Sequence, residues 1–199
     1  MVEENVERLI LDLYDIGAVQ LGKFRLHSGA TARIYIDLRI LVSFPAVLRR
    51  AVAILQVALE DIEFDLLAAT PYAGLPIGTA LCLALDKPLV YPRKAPKQYG
   101  MGKNVEGVWQ VGQTAVIVDD QITSGDSLVQ AAAALKASGL QVKQAVVLID
   151  RQQGGAGVLE AQGSQLKAVM NVTQMLAILE RHEKISAKQR AKVLKSLKR

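Results

Sequence analysis

Val116-Ile117-Val118-Asp119-Asp120-Gln121-Ile122-Thr123-Ser124-Gly125-Asp126-Ser127 is the stretch from which the rest of the chain is read. The run from Thr114 to Val118 has the unbroken apolar character of a strand buried on both faces of a parallel sheet. Two adjacent carboxylates, Asp119 and Asp120, follow where that strand is expected to stop. Thr123, Ser124, Gly125 and Ser127 then lead into an alanine-rich helix expected from Leu128 to about Ala137. A helix N-terminus presents free N–H groups and the positive end of a dipole, so it is a ready anion site. A plain strand-loop-helix unit needs one capping residue, Ser124 or Asp126, and this stretch supplies far more polar groups than that. Acids beside a phosphate-sized nest point to a ligand carrying phosphate together with sugar hydroxyls or metal. The pattern G-x-x-x-x-G-K-[ST] is absent and no lysine lies between Val111 and Leu135, so cations for a polyphosphate have to come from elsewhere.

Outward from this stretch, strands and helices alternate. Downstream, Ala145 to Ile149 and Leu166 to Met170 read as strands, with a helix from about Thr173 to Glu183. Upstream lie a strand from Asp65 to Thr70, a helix from Gly74 to Leu85 and a strand from Pro88 to Tyr91. A helix from Pro45 to about Glu60, opened by Ser43, precedes them. The spacing of Val6, Leu9, Ile10, Leu13 and Ile16 predicts a first helix ended by Gly17. Two alternating segments, Lys23 to His27 and Arg33 to Arg39, read as a hairpin. The fold class is therefore α/β, a central parallel sheet flanked by helices with a small N-terminal β flap over residues 23–39. Ligands of such sheets sit at the carboxyl ends of the strands, which selects the loops Thr70 to Gly74, Arg93 to Gly107, Asp119 to Ser127 and Asp150 to Gly155.

The second of those loops supplies the missing charge. Arg93, Lys94, Lys97 and Lys103 stand among Gly100 and Gly102, a composition suited to a lid that closes over an anion. Trp109, just beyond, is expected to pack in a short alternating strand.

With 199 residues the default is one domain, expected over residues 1–183, with residues 184–199 as a basic and helical tail. Cys82 is the single cysteine and sits in an apolar helix, so it reads as a buried small hydrophobe. The acidic N-terminus lacks the pattern of a signal peptide, and no apolar run reaches membrane-spanning length; a cytoplasmic location is the expectation. Seven lysines and arginines and no acid fall between Lys184 and Arg199, which reduces the net charge of +5 to −2 for the rest. Ala187, Ala191, Leu194 and Leu197 form a stripe at helical spacing, so a helix docked on the body or on a partner is expected rather than one bound to nucleic acid. No Cys/His cluster has metal-ligand spacing, and no G-x-S-x-G elbow accompanies His27.

The central stretch resembles the phosphoribosyl-pyrophosphate motif of type I phosphoribosyltransferases. G-K-F-R-L-H-S-G with I-Y-I-D-L-R, the lid R-K-x-x-K-x-Y-G followed by V-E-G, and L-I-D-R-Q-Q-G-G are similar to orotate phosphoribosyltransferases. The ending V-T-Q-M-L-A-I-L-E is most similar to the transferase half of UMP synthase, and the resemblance runs along nearly the whole chain. It implies a magnesium-dependent transfer of phosphoribosyl from phosphoribosyl pyrophosphate to orotate, giving orotidine 5'-phosphate and pyrophosphate in pyrimidine synthesis. It implies that Asp119 and Asp120 hold the ribose hydroxyls, directly or through magnesium that the substrate mainly carries. Thr123, Ser124, Gly125, Asp126 and Ser127 would cradle the 5'-phosphate, Gln121 and Ile122 would belong to the same substrate-binding stretch, and Tyr72 would lie beside pyrophosphate. Arg93, Lys94, Lys97 and Tyr99 match the lid, with Lys97 the main catalytic cation, shared across a homodimer. Thr123 and Arg151 match positions that contact orotate, while Ser28, Gly29 and Tyr35 match the flap over its ring, with His27 at the substrate-binding position before them. A separate orotidylate decarboxylase is the implied partner.

The chain also departs from the family pattern. His27 stands where lysine is usual, making a fixed charge conditional on pH. Ala73 replaces a lysine of many bacterial members, Thr70 a common glycine, Ala95-Pro96 an acid-containing pair, and Ala32-Arg33 a Ser-Pro. His27 and Thr70 motivate one alternative, a related transferase with altered base specificity or reduced activity, and the basic tail from Lys184 to Arg199 motivates another, a regulatory protein that senses phosphoribosyl pyrophosphate and uses the tail for RNA.

Overall fold

Residues 2–25, 29, 31–93 and 104–197 are described by a computed structural model. Along the chain its elements are α1 (Val2–Asp15), β1 (Val19–Arg25), β2 (Thr31–Ile36), α2 (Pro45–Leu59), β3 (Leu66–Ala69), α3 (Gly74–Leu85), β4 (Leu89–Pro92) and β5 (Val105–Glu106). The second half comprises β6 (Thr114–Ile122), α4 (Asp126–Ala137), β7 (Gln141–Asp150), α5 (Gly155–Ala161), β8 (Gln165–Asn171), α6 (Val172–Arg181) and α7 (Ala187–Leu197). The main sheet has the order β5-β4-β3-β6-β7-β8, and its neighbours are parallel except β4 and β5, which are antiparallel.

Alternation along β6 explains why the sheet is covered on both faces. Val116 and Val118 belong to a core built with α1, α2, α3 and α6, where Leu13, Leu55, Leu81 and Leu176 are fully buried. Ala115 and Ile117 point the other way, into a core with Leu128 and Leu135 of α4 and Leu159 of α5. Burying each large aliphatic side chain contributes about 1.5–3 kcal/mol, so neither face tolerates a polar residue over this run. The strand does not stop at Val118. Its ladder with β7 continues through Gln121 opposite Ile149 and Ile122 opposite Asp150, so both acids lie inside the strand rather than after it.

The hairpin β1/β2 forms its own two-stranded sheet, with a bulge between Leu21 and Phe24. Phe24 and Tyr35 bring their rings to 5.4 Å. Instead of running to Arg39, β2 ends at Ile36, because Asp37 caps a 3-10 turn over Leu38–Ser43 and accepts the Arg39 amide at 3.1 Å. Ser43 does not cap α2; Phe44 occupies that position without a side-chain bond, and Pro45 at the first turn fits the helix start. The hairpin is tied to the main sheet by Gln121, whose Nε2 donates to the Ile36 carbonyl at 3.3 Å.

One further expectation changes, and one helix is added. Trp109 is not in a strand: its indole N–H donates to the Ser138 carbonyl at 3.0 Å while Val108 and Val111 beside it are 88% and 85% exposed. A helix, α5, follows Gly154, whose φ of 90° starts it. The segment after Glu183 forms α7, which packs on α6 and β2 through Val193. Among the described residues no helix is long and apolar enough to cross a membrane. Cys82 is free and half-buried.

Candidate active site

The carboxyl ends of β3 and β6 and the N-terminus of α4 enclose a cavity of about 290 Å³. Asp119 to Leu128 line it, with Tyr72 and Ala73 on one side and Arg39 on the other. Asp119 and Asp120 are 6% and 7% exposed. Asp119 Oδ1 accepts the Asp120 amide at 2.8 Å. Burial pushes the Asp119 carboxyl above its ordinary range; the buried Thr70 hydroxyl beside it offsets part of this, though its Oγ1 makes no well-formed hydrogen bond. The Asp120 carboxyl is pushed up to about 8, by burial first and by the neighbouring Asp119 charge second. Two carboxylates held this close and this dry call for a hydroxyl donor or a cation.

The phosphate loop follows from two glycines. Gly125 caps α4 with φ of 88°, and a Cβ there would meet the Gly155 carbonyl at 2.9 Å. A Cβ on Gly155 would in turn meet the Thr123 carbonyl at 2.5 Å. The backbone of the loop is thus pressed against the start of α5, and the Gly155 amide donates to the Thr123 carbonyl at 3.0 Å. Val129 makes the first bond of α4, to the Gly125 carbonyl at 2.9 Å. The amides of Asp126, Ser127 and Leu128 have no acceptor among the described residues, and no side chain caps the helix. Ser124 Oγ donates instead to Asp126 Oδ2 at 2.7 Å. An anion is what such an open N-terminus accommodates.

Arg39 was not apparent from its sequence position. Its Nε and a terminal nitrogen each lie 2.7 Å from an Asp37 carboxylate oxygen, and Tyr35 donates to the same carboxylate at 3.3 Å. Asp37 is held well below the usual carboxylate range by the Arg39 hydrogen bonds, despite partial burial. This leaves a guanidinium fixed at the mouth of the acid cavity.

The phosphoribosyl transferase domain family matches residues 41–161. Over 158 residues, 77% of this chain and 79% of the relative, the chain is 40% identical to the orotate phosphoribosyltransferase of Cenarchaeum symbiosum (strain A). The chain belongs to the orotate phosphoribosyltransferase family. It is also 39% identical over 181 residues to the uridine 5'-monophosphate synthase of Bos taurus, covering 90% of this chain and 38% of that protein. It superposes on the structure of Leishmania donovani UMP synthase with a TM-score of 0.88 at 36% identity, over 96% of this chain and 42% of that one. The chain therefore spans less than half the length of these two relatives.

For this orotate phosphoribosyltransferase family member, the cavity brings together Tyr72, Asp119, Asp120, Gln121, Ile122, Thr123, Ser124, Gly125, Asp126 and Ser127. Tyr35 reaches it indirectly, through Asp37 and Arg39. Gly29 sits in the bend between the hairpin strands with φ of 81°. Arg151 follows β7, donates its amide to the Ile122 carbonyl at 3.0 Å, and lines a neighbouring cavity. Burial lowers the Arg151 guanidinium from its ordinary range, and the Asp120 charge works against that. Arg93 is paired with Glu106 at 2.6 Å rather than placed on the acid cavity. His27, Ser28, Lys94, Lys97 and Tyr99 lie outside the described residues. The signal that could have found Arg39 is the opposite charge of Asp37 two residues before it, which the turn after Ile36 brings into an ion pair.

Proposed function

We propose that this chain catalyses transfer of the phosphoribosyl group from phosphoribosyl pyrophosphate to orotate, giving orotidine 5'-phosphate and pyrophosphate. One observation carries the reading: a buried pair of acids and an open helix N-terminus share a cavity, as a sugar with hydroxyls at one edge and phosphate at the other requires. Membership of the family sharpens the substrate from a generic sugar phosphate to this pair.

In the mechanism, the amides of Asp126, Ser127 and Leu128 and the hydroxyls of Thr123 and Ser127 hold the 5'-phosphate, joined by Ser124 once its hydroxyl turns from Asp126. Asp119 and Asp120 accept hydrogen bonds from the ribose hydroxyls and orient C1 toward the base. Displacement of pyrophosphate builds positive charge on the ribose, and two carboxylates in a dry site stabilise it. Arg39, and Lys97 as assigned from the resemblance, oppose the negative charge that leaves with pyrophosphate. Arg151 and Thr123 orient the carboxylate-bearing base.

Magnesium fits this donor set, because two buried carboxylates with raised pKa values are hard oxygen ligands in need of positive charge. Such an ion would be carried mainly by substrate oxygens and reached from Asp119 and Asp120 through water. When bound, magnesium would supply neutralisation of pyrophosphate charge. Two remaining parts of the reading rest on the resemblance, a homodimer sharing the lid and a separate orotidylate decarboxylase that takes the product; the cytoplasmic setting rests on the sequence, whose single cysteine offers no disulfide framework.

The test is pyrophosphate release from phosphoribosyl pyrophosphate and orotate, with and without magnesium, by wild type and Lys97→Ala. Magnesium-dependent release that falls by about 10²-fold or more in the variant is expected. Equal rates for wild type and variant would remove Lys97 from its role, and equal rates without magnesium would remove the ion.

A further inference from the structure

A second cavity, of about 810 Å³, opens between the hairpin and α7. Its charged lining among the described residues is entirely cationic: Lys23 and Arg33 from the hairpin, Arg151 after β7, and Lys192 and Lys195 from α7. An adjoining hollow of about 210 Å³ continues the patch with Lys23, Arg33 and Lys192.

These cations are not the ones that dock the helix. Lys184 pairs with Asp15 at 2.6 Å and Arg190 with Glu180 at 2.7 Å, while Val193 is 1% exposed beneath α7. Among the described residues Lys23, Arg33, Lys192 and Lys195 have no carboxylate partner. Like charges gathered without a counter-charge repel one another and favour an anion between them. The inner wall points the same way. Arg151 Nε is buried without a hydrogen-bond partner, so an incoming acceptor relieves a desolvated guanidinium.

We propose that α7 completes the base side of the active site: Lys192 and Lys195, facing Arg33 and Arg151, form a cationic vestibule that captures the carboxylate-bearing base. The inference rests on the function proposed above and adds to it a helix outside residues 41–161, the part matched by the domain family. Phosphoribosyl pyrophosphate has its own anion site at the start of α4, in the other cavity. Charge on α7 is therefore directed to the second substrate. Lys192 and Lys195 are positioning residues acting through electrostatic attraction, which salt weakens.

The experiment compares wild type with Lys192→Gln/Lys195→Gln and Lys192→Arg/Lys195→Arg, by steady-state kinetics and by calorimetric binding of orotate. In the glutamine variant KM for orotate is expected to rise roughly three- to tenfold, with kcat and the KM for phosphoribosyl pyrophosphate within about twofold of wild type. The orotate effect should shrink with added salt, and the arginine variant should match wild type. An unchanged orotate KM, or equal rises for both substrates, overturns the vestibule. If the double variant fails to fold, Lys195→Gln alone decides by the same readings. Wild type that binds orotate without turning it over rejects the proposed reaction, while the binding difference between variants still judges α7. Wild type that neither binds nor turns over orotate rejects both.

Discussion

The carboxylate of Asp119 accepts the amide hydrogen of Asp120 at 2.8 Å, so two acids consecutive in one strand are locked together inside the sheet. Their burial is unfavourable for the free protein and useful only when hydroxyls or a cation arrive. Asp120→Asn should lower kcat/KM by about 10²-fold or more, because the substituted amide cannot stabilise charge on the ribose. The same change should leave the melting temperature unchanged or raise it. Steady-state kinetics beside thermal melts check both; a loss of activity matched by a loss of folding would contradict the assignment.

The pair also sets a pH dependence. An aspartate ordinarily ionises near 3.8, whereas Asp120 titrates near 8 in the folded protein and Asp119 is shifted in the same direction. Between those values the folded state holds more protons than the unfolded state, so the stability contributed by the pair is full below about 3.8 and is lost as pH rises through about 8. Denaturant unfolding should show wild type losing stability relative to Asp119→Asn/Asp120→Asn across this window, by up to about 1.4 kcal/mol per pH unit for each proton involved. Parallel pH profiles for the two proteins would show that the pair is not perturbed.

Gly125 and Gly155 hold the phosphate loop by mutual contact. Gly125→Ala places a side chain on a residue with φ of 88° and drives it toward the Gly155 carbonyl, so both strain and overlap act. Gly155→Ala meets only overlap, at 2.5 Å from the Thr123 carbonyl. Each change should cost about 1–3 kcal/mol of stability and raise KM for phosphoribosyl pyrophosphate. Thermal melts and donor titrations measure this, and a well-folded Gly155→Ala enzyme with unaltered donor KM would refute the loop contact.

How much was legible in advance follows from the same residues. Thr114 to Val118 announced a doubly covered strand because both alternating faces are apolar, and the glycines and hydroxyls after Ile122 announced an anion loop. The continuation of β6 through Asp119 to Ile122 was hidden, since polar residues inside a strand are tolerated only where a site needs them and a neighbouring ladder holds them. α5 was hidden by its Gly154-Gly155 start, which by composition reads as loop. The alternation Val108-Trp109-Gln110-Val111 imitated a strand although both valines face solvent. Arg39 depended on a 3-10 turn stabilised by Asp37, a local competition that strand patterning does not express.

Arg39 gives the next expected outcome. Asp37 and Tyr35 fix its guanidinium by paired hydrogen bonds, a geometry that lysine does not reproduce. Arg39→Lys should raise KM for phosphoribosyl pyrophosphate several-fold while leaving the melting temperature nearly unchanged, because the Arg39 side of the ion pair is solvent-exposed and lysine keeps the charge beside Asp37. Donor titration at saturating orotate measures the effect, and a donor KM equal to that of wild type would show that Arg39 only braces the hairpin.

The most direct measurement is pyrophosphate release by the purified wild-type chain from phosphoribosyl pyrophosphate and magnesium, with orotate compared against a panel of other nucleobases. Orotate alone is expected to support rapid release, with orotidine 5'-phosphate formed in equal amount. No turnover of orotate at saturating donor, or faster turnover of another base, would contradict the proposed reaction.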